Sequence, residues 1–574
     1  MSDTYMYQYH LFSALVAFIG LVHYVYVNSK RYKLSHIPTV GYSTPLLTYI
    51  SAWRYFRDPA YVYETIEEGY RKYPNKLFKV PTLTSWEVIV NSTQAVDEMC
   101  KAPVDVVSNI LAFSELDYTL GHDVTKYPYH VSVVRGPITR NIAAKFGVVR
   151  EEVVRGYDDA VEGLRKGTGE VGEWVQVPVY DVTIKLVRKI MARMSVGYPL
   201  CENEEFKELC GRAVRTLVKG RALRFFPKFM RPLASRLLIN VQKDLRRMAV
   251  LIEPEVKQRL EQEAECIASG TEWTEKPAKR RLAVVDGRGE ADRALTNALR
   301  IIACHPPEEY LYPLREELER VLRAGGDEEA EKGRDGGGLE WTKNAVGRMY
   351  LLDSLLREVQ RCFDIQPLHV SRKTVQPFVF SDGTLVPPGV TMYANSHAMY
   401  RDEARFGRAG NFEGFRYVMD GEGVGDEGVH EKGSLNAGKE RDLPTGSFMQ
   451  PLLAKPALDY HAFGYGKHAC PGRFSAVYQL KTMVAHVLMT YDVSMHNPTD
   501  KNGSGNHNSK QQGSGNDHRK GYGLENNNDD GADGRVYSVH MRLAGEKVLP
   551  DDEDAGQGKK AGMGVATKLW FRKR

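Results

Sequence analysis

Phe463-Gly464-Tyr465-Gly466-Lys467-His468-Ala469-Cys470-Pro471-Gly472-Arg473-Phe474-Ser475-Ala476 is the stretch on which the reading of this chain turns. One thiol stands between glycines on one side and Pro-Gly on the other, and a helix-like run from Phe474 to Leu488 follows. Glycine-rich backbone can approach a large planar ligand closely. N–H groups that follow a cysteine can donate to its sulfur, and the start of a helix favours negative charge. The pattern predicts a thiolate held at a helix N-terminus with open backbone beside it. The rival reading is a structural cysteine buried beside a tight turn.

A thiolate held in this way can serve as the proximal ligand of a haem iron. The segment fits F-x-x-G-x-x-x-C-x-G-R-x-x-A and resembles the haem-binding loop of the cytochrome P-450 family. A second motif lies upstream. Glu358-Val359-Gln360-Arg361 puts Glu and Arg at i and i+3 on one helical face, where they can pair. That spacing alone says little, because surface pairs of this kind are common. Here it follows the apolar run Tyr350-Leu351-Leu352-Asp353-Ser354-Leu355-Leu356, and Pro367 and Arg372 come after it at P-450-like spacing. Phe412-Glu413-Gly414-Phe415-Arg416 looks like the family's P-E-R-F region.

The resemblance implies a mostly α fold with a small β part. It implies a buried polar triad of Glu358, Arg361 and Arg416 behind the haem, structural and not chemical in role. It implies Cys470 as axial ligand, with Phe463, Gly464 and Gly466 in the cofactor-binding loop. His468, Arg372 and Arg135 are the implied propionate partners. The Trp usual four residues before Arg135 is Val131 here, and His130 can share that task.

Composition sets outer bounds. The chain has 574 residues, 42% hydrophobic and 26% charged, which fits one large domain with appendages as well as several domains. A net charge of +5 is too small and dispersed to suggest nucleic acid. Its seven cysteines, Cys100, Cys201, Cys210, Cys266, Cys304, Cys362 and Cys470, contain no C-x-x-C pair, so neither a zinc site nor a disulfide framework is indicated. An apolar run from Leu11 to Val27 sits at the short limit of a spanning helix, and Lys30, Arg31 and Lys33 follow it. Positive-inside bias then puts residues 1–10 in the lumen and the body of the protein in the cytosol, anchored in the endoplasmic reticulum. A cleaved signal peptide is the competing reading. Residues 28–45, with His36-Ile37-Pro38-Thr39-Val40-Gly41, read as a rigid hinge. Residues 46–574 read as the catalytic domain, interrupted by polar insertions at 324–338, 418–450 and 497–535.

Residues 78–80 and 87–90 read as strands, and Phe378 to Leu385 as a hairpin turned by Asp382-Gly383. Periodicity predicts helices over 150–166, 183–196, 233–264, 308–323 and 345–363. The terminal Leu569-Trp570-Phe571-Arg572-Lys573-Arg574 resembles the family's last strand.

The distal side departs from the family. The resemblance calls for a long apolar helix across the haem, carrying an acid and a Thr that relay protons to the oxygen site. Ala294 to Leu299, His305-Pro306 and Pro313 to Glu317 resemble the second half of that helix and the helix after it. Counting back, the family's Thr position falls on Glu290 and the acid position on Gly289. Upstream, Pro277 to Gly289 holds a proline, two glycines and Lys279-Arg280-Arg281. A Gly costs about 1 kcal/mol and a Pro about 3 kcal/mol in a helix interior, so this stretch cannot continue an apolar helix. Either a segment of roughly twenty to thirty residues is missing through a gene-model or splice error, or the protein is a divergent haem protein with Glu290 as its distal proton donor. The intact features on both sides favour the first.

The reading is haem-thiolate monooxygenation of a small lipophilic substrate, terpenoid or steroid-like, in secondary metabolism. No G-x-G-x-x-G follows a predicted strand, so electrons come from a separate NADPH-dependent membrane reductase, with cytochrome b5 as a further donor. The alternatives are a membrane-anchored haem-binding protein without monooxygenase activity and a P-450-like isomerase or dehydratase.

Overall fold

The structure is a computed structural model. It describes residues 32–44, 47–113, 116–119, 126–139, 142–165, 174–220, 222–223, 230–239, 241–269, 290–324, 339–364, 366–418, 452–495 and 568–574, with five isolated positions before residue 30. Most of the anchor run, most of the three insertions and the stretch from Pro277 to Gly289 lie outside the described residues. Among the described residues no helix is long and apolar enough to cross a membrane.

Helices dominate. Those used below are α1 (Pro59–Lys72), α2 (Thr93–Lys101), α3 (Ile142–Arg165), α4 (Val179–Ser195), α5 (Glu204–Gly220), α6 (Val241–Ser269), α7 (Glu290–Cys304), α8 (Leu311–Arg323), α9 (Tyr350–Cys362) and α10 (Arg473–Thr490). The main core joins α3, α4, α7, α8, α9 and α10. Within α9, Leu351, Leu352, Leu355, Leu356 and Val359 supply its apolar faces, yet Asp353, Ser354, Glu358 and Arg361 are buried as well. A helix buried all round must find partners for such groups.

The β part is small. One sheet has the order β1 (Leu77–Pro81), β2 (Trp86–Val90), β8 (Thr391–Ala394), β5 (His369–Thr374) and β3 (Val107–Ser108), with β2 parallel to β8 and the other pairs antiparallel. A second sheet places β10 (Lys568–Lys573) between β4 (Val175–Pro178) and β9 (Tyr491–Ser494). β6 (Phe378–Val379) and β7 (Leu385–Val386) form the hairpin, with Gly383 at φ +81° in its turn. The segment read as a hinge is packed onto the first sheet. Leu34, Ile37 and Val40 are buried, Lys79 Nζ donates to the Leu34 and Ile37 carbonyls, and Val40 N–H donates to the Lys79 carbonyl at 3.1 Å.

Two predicted helices are each two helices. The run 233–264 is Arg231–Leu238 followed by α6, because Ile239 leaves the helical region at φ −137°, ψ 92° and is buried beside Leu223 and Ala234. The run 345–363 breaks at Met349, and α9 starts afresh at Tyr350. The cause is a partner from α8. The buried Glu317 carboxylate takes the Leu351 N–H at 2.7 Å and the Leu352 N–H at 3.1 Å, satisfying donors that a helix start leaves open.

Candidate active site

Local backbone sets the cysteine loop. Gly464 and Gly466 adopt φ +71° and +69°, which favours glycine at both positions. The Cys470 N–H donates to the Phe463 carbonyl at 2.8 Å, and the Gly464 N–H to the His461 carbonyl at 2.8 Å. These bonds close the chain into a loop whose last residues run into α10. Cys470 is exposed, three residues before the helix begins. A methyl group at Gly472 would lie 3.4 Å from Val134 Cγ1 and 4.0 Å from Cys470 Sγ.

Cations gather around the loop. Arg135 is exposed in the turn Val134–Ile138, and its Nη2 donates to the Lys467 carbonyl at 3.2 Å. Arg372 on β5 is buried, and its Nη2 donates to the Tyr465 carbonyl at 3.3 Å and to Cys100 Sγ at 3.4 Å. Burial, then Arg372, Lys467 and Arg135, hold His468 down at about 4, so its ring is neutral near pH 7. Its Nε2 is buried and makes no hydrogen bond. Arg473 donates from Nη1 to the Cys470 carbonyl at 3.0 Å, while its buried Nε makes no hydrogen bond. His130 lies in the helical turn Tyr129–Val133, but its side chain is outside the described residues.

Behind the loop, Glu358, Arg361 and Arg416 meet. Arg361 donates from Nε and Nη2 to the two Glu358 oxygens, each at 2.8 Å, and Arg416 Nε donates to Oε1 at 3.1 Å. Burial pushes the Glu358 carboxyl up, but the bonds and charges of Arg361 and Arg416 outweigh it and hold the group below the usual carboxylate range. Arg361 Nη1 also donates to the Tyr400 carbonyl at 2.6 Å. Tyr400 Oη in turn accepts the His461 N–H at 2.6 Å, so the lock reaches the cysteine loop through one tyrosine.

A family profile described as Cytochrome P450 matches residues 293–512. Cytochrome P450 monooxygenase 151 of Postia placenta is 30% identical over 513 residues, spanning 84% of this chain and 92% of the relative. The chain belongs to the cytochrome P450 family, whose curated relatives are named as monooxygenases. Cytochrome P450 monooxygenase CYP512U6 of Ganoderma lucidum is 28% identical over 84% of this chain and 91% of that one. The haem domain of a cytochrome P450DA triple mutant shares the fold, with a TM-score of 0.53 at 15% identity over 81% of this chain and 92% of its own. Membership makes this a haem-dependent P450 monooxygenase by class.

The residues present fit the group that the family binds. A haem carries two carboxylates and needs an axial donor. Arg372 has no carboxylate among its protein partners, and His468 Nε2 and Arg473 Nε face no acceptor. These orphaned donors stand around the loop that ends in an accessible thiol, which is the donor set a dianionic macrocycle requires.

The stretch that the sequence resemblance reads as the second half of the distal helix lies in α7. Glu290 opens α7, and its side chain is outside the described residues. Thr296 is buried and its hydroxyl donates to the Asp292 carbonyl at 2.8 Å, a helix-internal bond. Asp292 itself is 4% exposed and its Oδ1 makes no hydrogen bond. Burial raises its carboxyl to about 6 against the pull of Arg188 and Arg293.

Sequence reasoning missed three buried groups. Lys481 on α10 pairs with Asp353 on α9 at 3.1 Å, both fully buried, tying the helix that follows Cys470 to the helix that carries Glu358. Glu317 caps α9, as described above. His397, on the short helix after β8, lies between Asp364 (2.9 Å to Nδ1) and Glu67 of α1 (2.8 Å to Nε2). Only the i, i+3 and loop motifs had a signature in the sequence; these partners are separated by between 33 and 330 residues.

The His397 bridge predicts a pH dependence. Burial and Arg401 press its pKa down, but Asp364 and Glu67 outweigh them and raise it above 6.5. Tyr63 packs edge-on at 4.7 Å, and His369 lies near Asp364. The charged bridge is fully present below the unfolded imidazole pKa and is lost as pH rises through the folded value. Asp364 and Glu67 are both held below their usual values, so their share is lost on the acid side. The thermal midpoint is expected to fall as pH rises above about 6.5, and His397→Phe is expected to flatten that limb. An unchanged slope in the variant would show that His397 carries no such linkage.

Proposed function

We propose that this P450 inserts one oxygen atom of O2 into a C–H bond of a small lipophilic substrate of the terpenoid or steroid-like kind. The other atom leaves as water, with two electrons and two protons consumed. The observation that carries the reading is the convergence of an accessible Cys470, the orphaned donors of His468 and Arg473 and the anion-free Arg372 on one glycine loop. Cys470 would ligate the iron, and His468, Arg372 and Arg135 would receive the propionates. Phe463, Gly464 and Gly466 would shape the backbone against the ring, and Glu358, Arg361 and Arg416 would keep the loop in place. When bound, haem supplies the oxygen chemistry, with thiolate donation from the proximal side.

Electrons come from a separate NADPH-dependent membrane reductase, with cytochrome b5 as a further donor. The apolar run from Leu11 to Val27, followed by Lys30, Arg31 and Lys33, supports anchoring in the endoplasmic reticulum with the catalytic domain in the cytosol. One observation favours a second reading. Pro277 to Gly289 stands where the apolar distal helix belongs, which suits a haem protein without turnover or one that performs isomerisation or dehydration.

The test is the full chain in microsomes with reductase, NADPH and a panel of terpenoid and steroid substrates. Hydroxylated product, with NADPH consumption dependent on substrate, is the expected result. Haem uptake with no product and no substrate-dependent NADPH use would reject monooxygenation in favour of the second reading.

A further inference from the structure

The C-terminal end of α2 touches the cysteine loop at points the Glu358 lock does not reach. Tyr465 Oη donates to Asp97 Oδ1 at 3.3 Å, and Lys467 Nζ donates to the Ala102 carbonyl at 2.8 Å. A methyl group at Gly466 would meet Cys100 Cβ at 3.4 Å. Cys100 is 3% exposed. Its sulfur takes the Arg372 Nη2 at 3.4 Å, the same nitrogen reaches the Tyr465 carbonyl at 3.3 Å, and Nη1 donates to the Ser371 carbonyl at 2.9 Å.

These partners are one sulfur and two carbonyls, with no anion among them. Burial raises the Cys100 thiol, with Arg372 pulling the other way, so the sulfur offers lone pairs and not a counter-charge. A guanidinium has five N–H donors. The three bonds to Ser371, Cys100 and Tyr465 leave two donors of Arg372 for an anion. A buried cation with neutral partners alone is costly, so its direction matters as much as its presence.

We propose that Cys100 is a positioning residue: its sulfur fixes the Arg372 guanidinium so that the unused donors face the acidic side chain of the cofactor. The end of α2 is thereby a second brace on the cysteine loop, independent of Glu358. The inference rests on the haem-thiolate reading above.

The test compares the full chain with Cys100→Ser, which keeps a lone-pair acceptor, and Cys100→Val, which keeps the volume without one. Two quantities are read: the rate of haem transfer to excess apomyoglobin, and the ferric–ferrous potential. Cys100→Val is expected to release haem about tenfold faster, the scale of one hydrogen bond to a charged group. Its potential is expected to fall, because an Arg372 turned away leaves the carboxylate's negative charge uncompensated near the iron. Cys100→Ser is expected to stay within about threefold of the parent rate. Equal rates in all three proteins would overturn the proposal, and so would equal acceleration in both variants, which would make Cys100 a packing residue. Failure of the parent chain to take up haem would overturn the haem-thiolate reading and this proposal with it.

Discussion

Glu358→Ala is expected to leave little folded, haem-loaded protein. The loss follows from what the carboxylate leaves behind. Arg361 is 1% exposed, and two of its donating nitrogens point at Glu358. Arg416 Nε and the Glu413 N–H also end on Glu358 Oε1. Removing the anion strands the Arg361 guanidinium where salt cannot screen it and water cannot replace the carboxylate, whereas Arg416 keeps Glu413 at 3.4 Å. Breaking a buried pair on one side costs about 3–5 kcal/mol, a large share of a typical stability of about 5–15 kcal/mol.

The damage passes to the cysteine loop along one route. Arg361 holds the Tyr400 carbonyl, Tyr400 Oη holds the His461 N–H, and the His461 carbonyl holds the Gly464 N–H. Thermal midpoint and haem content are expected to fall together. Glu358→Gln keeps the shape and removes the charge, so it separates charge from packing and is expected to fall most of the way. The double variant Glu358→Leu with Arg361→Met is expected to be less harmful than Glu358→Ala, because it strands fewer charges. Because the carboxyl sits below its usual range, its contribution is full above the unfolded carboxylate pKa and fades as pH drops through the folded value. A Glu358→Gln protein with parent-like midpoint and haem content would sink this account of the lock.

What the sequence discloses here, and what it conceals, follows from chain distance. Glu358 and Arg361 are one helical turn apart, and Phe463 to Arg473 is continuous, so local spacing alone brings these groups together. The hairpin at Asp382-Gly383 is legible for the same reason. Lys481 and Asp353 look like ordinary helix-surface charges until α9 and α10 are packed side by side. The break before Tyr350 is invisible in the apolar periodicity, because its cause is a carboxylate 34 residues away on α8. Cys100 and Arg372 are 272 residues apart, and nothing in either neighbourhood announces the contact. Burial of Asp353, Lys481 and His486 becomes visible only in the folded chain, where each such group requires a partner from elsewhere.

Cys470→Ser is expected to abolish the thiolate-type Soret shift of the ferrous–CO complex and to remove turnover. Four of the other thiols cannot stand in. Burial pushes Cys362 up to about 12 and Cys210 to about 11, and it raises Cys100 and Cys201. Each is therefore a protonated, enclosed sulfur. Cys470 differs in every respect that makes a thiolate available. It is exposed, it precedes an eighteen-residue helix whose N-terminus favours negative charge, and Arg473 lies beside it. A serine hydroxyl keeps the loop's backbone bonds, because the Cys470 N–H and carbonyl make them, and not the side chain. The variant should accordingly fold and hold the lock, with a thermal midpoint close to that of the parent apoprotein, while losing the anionic donor to the iron. The loss of activity is expected to exceed the ~10–100-fold that removal of a hydrogen-bond partner around a metal ligand costs. Gly472→Ala provides a control: its methyl group would make ordinary contact with Val134 at 3.4 Å and lie 4.0 Å from the sulfur, so the shifted band is expected to persist with the thiol still present. A Cys470→Ser protein that retains the thiolate-type band would place the axial sulfur elsewhere and remove the foundation of the proposed chemistry.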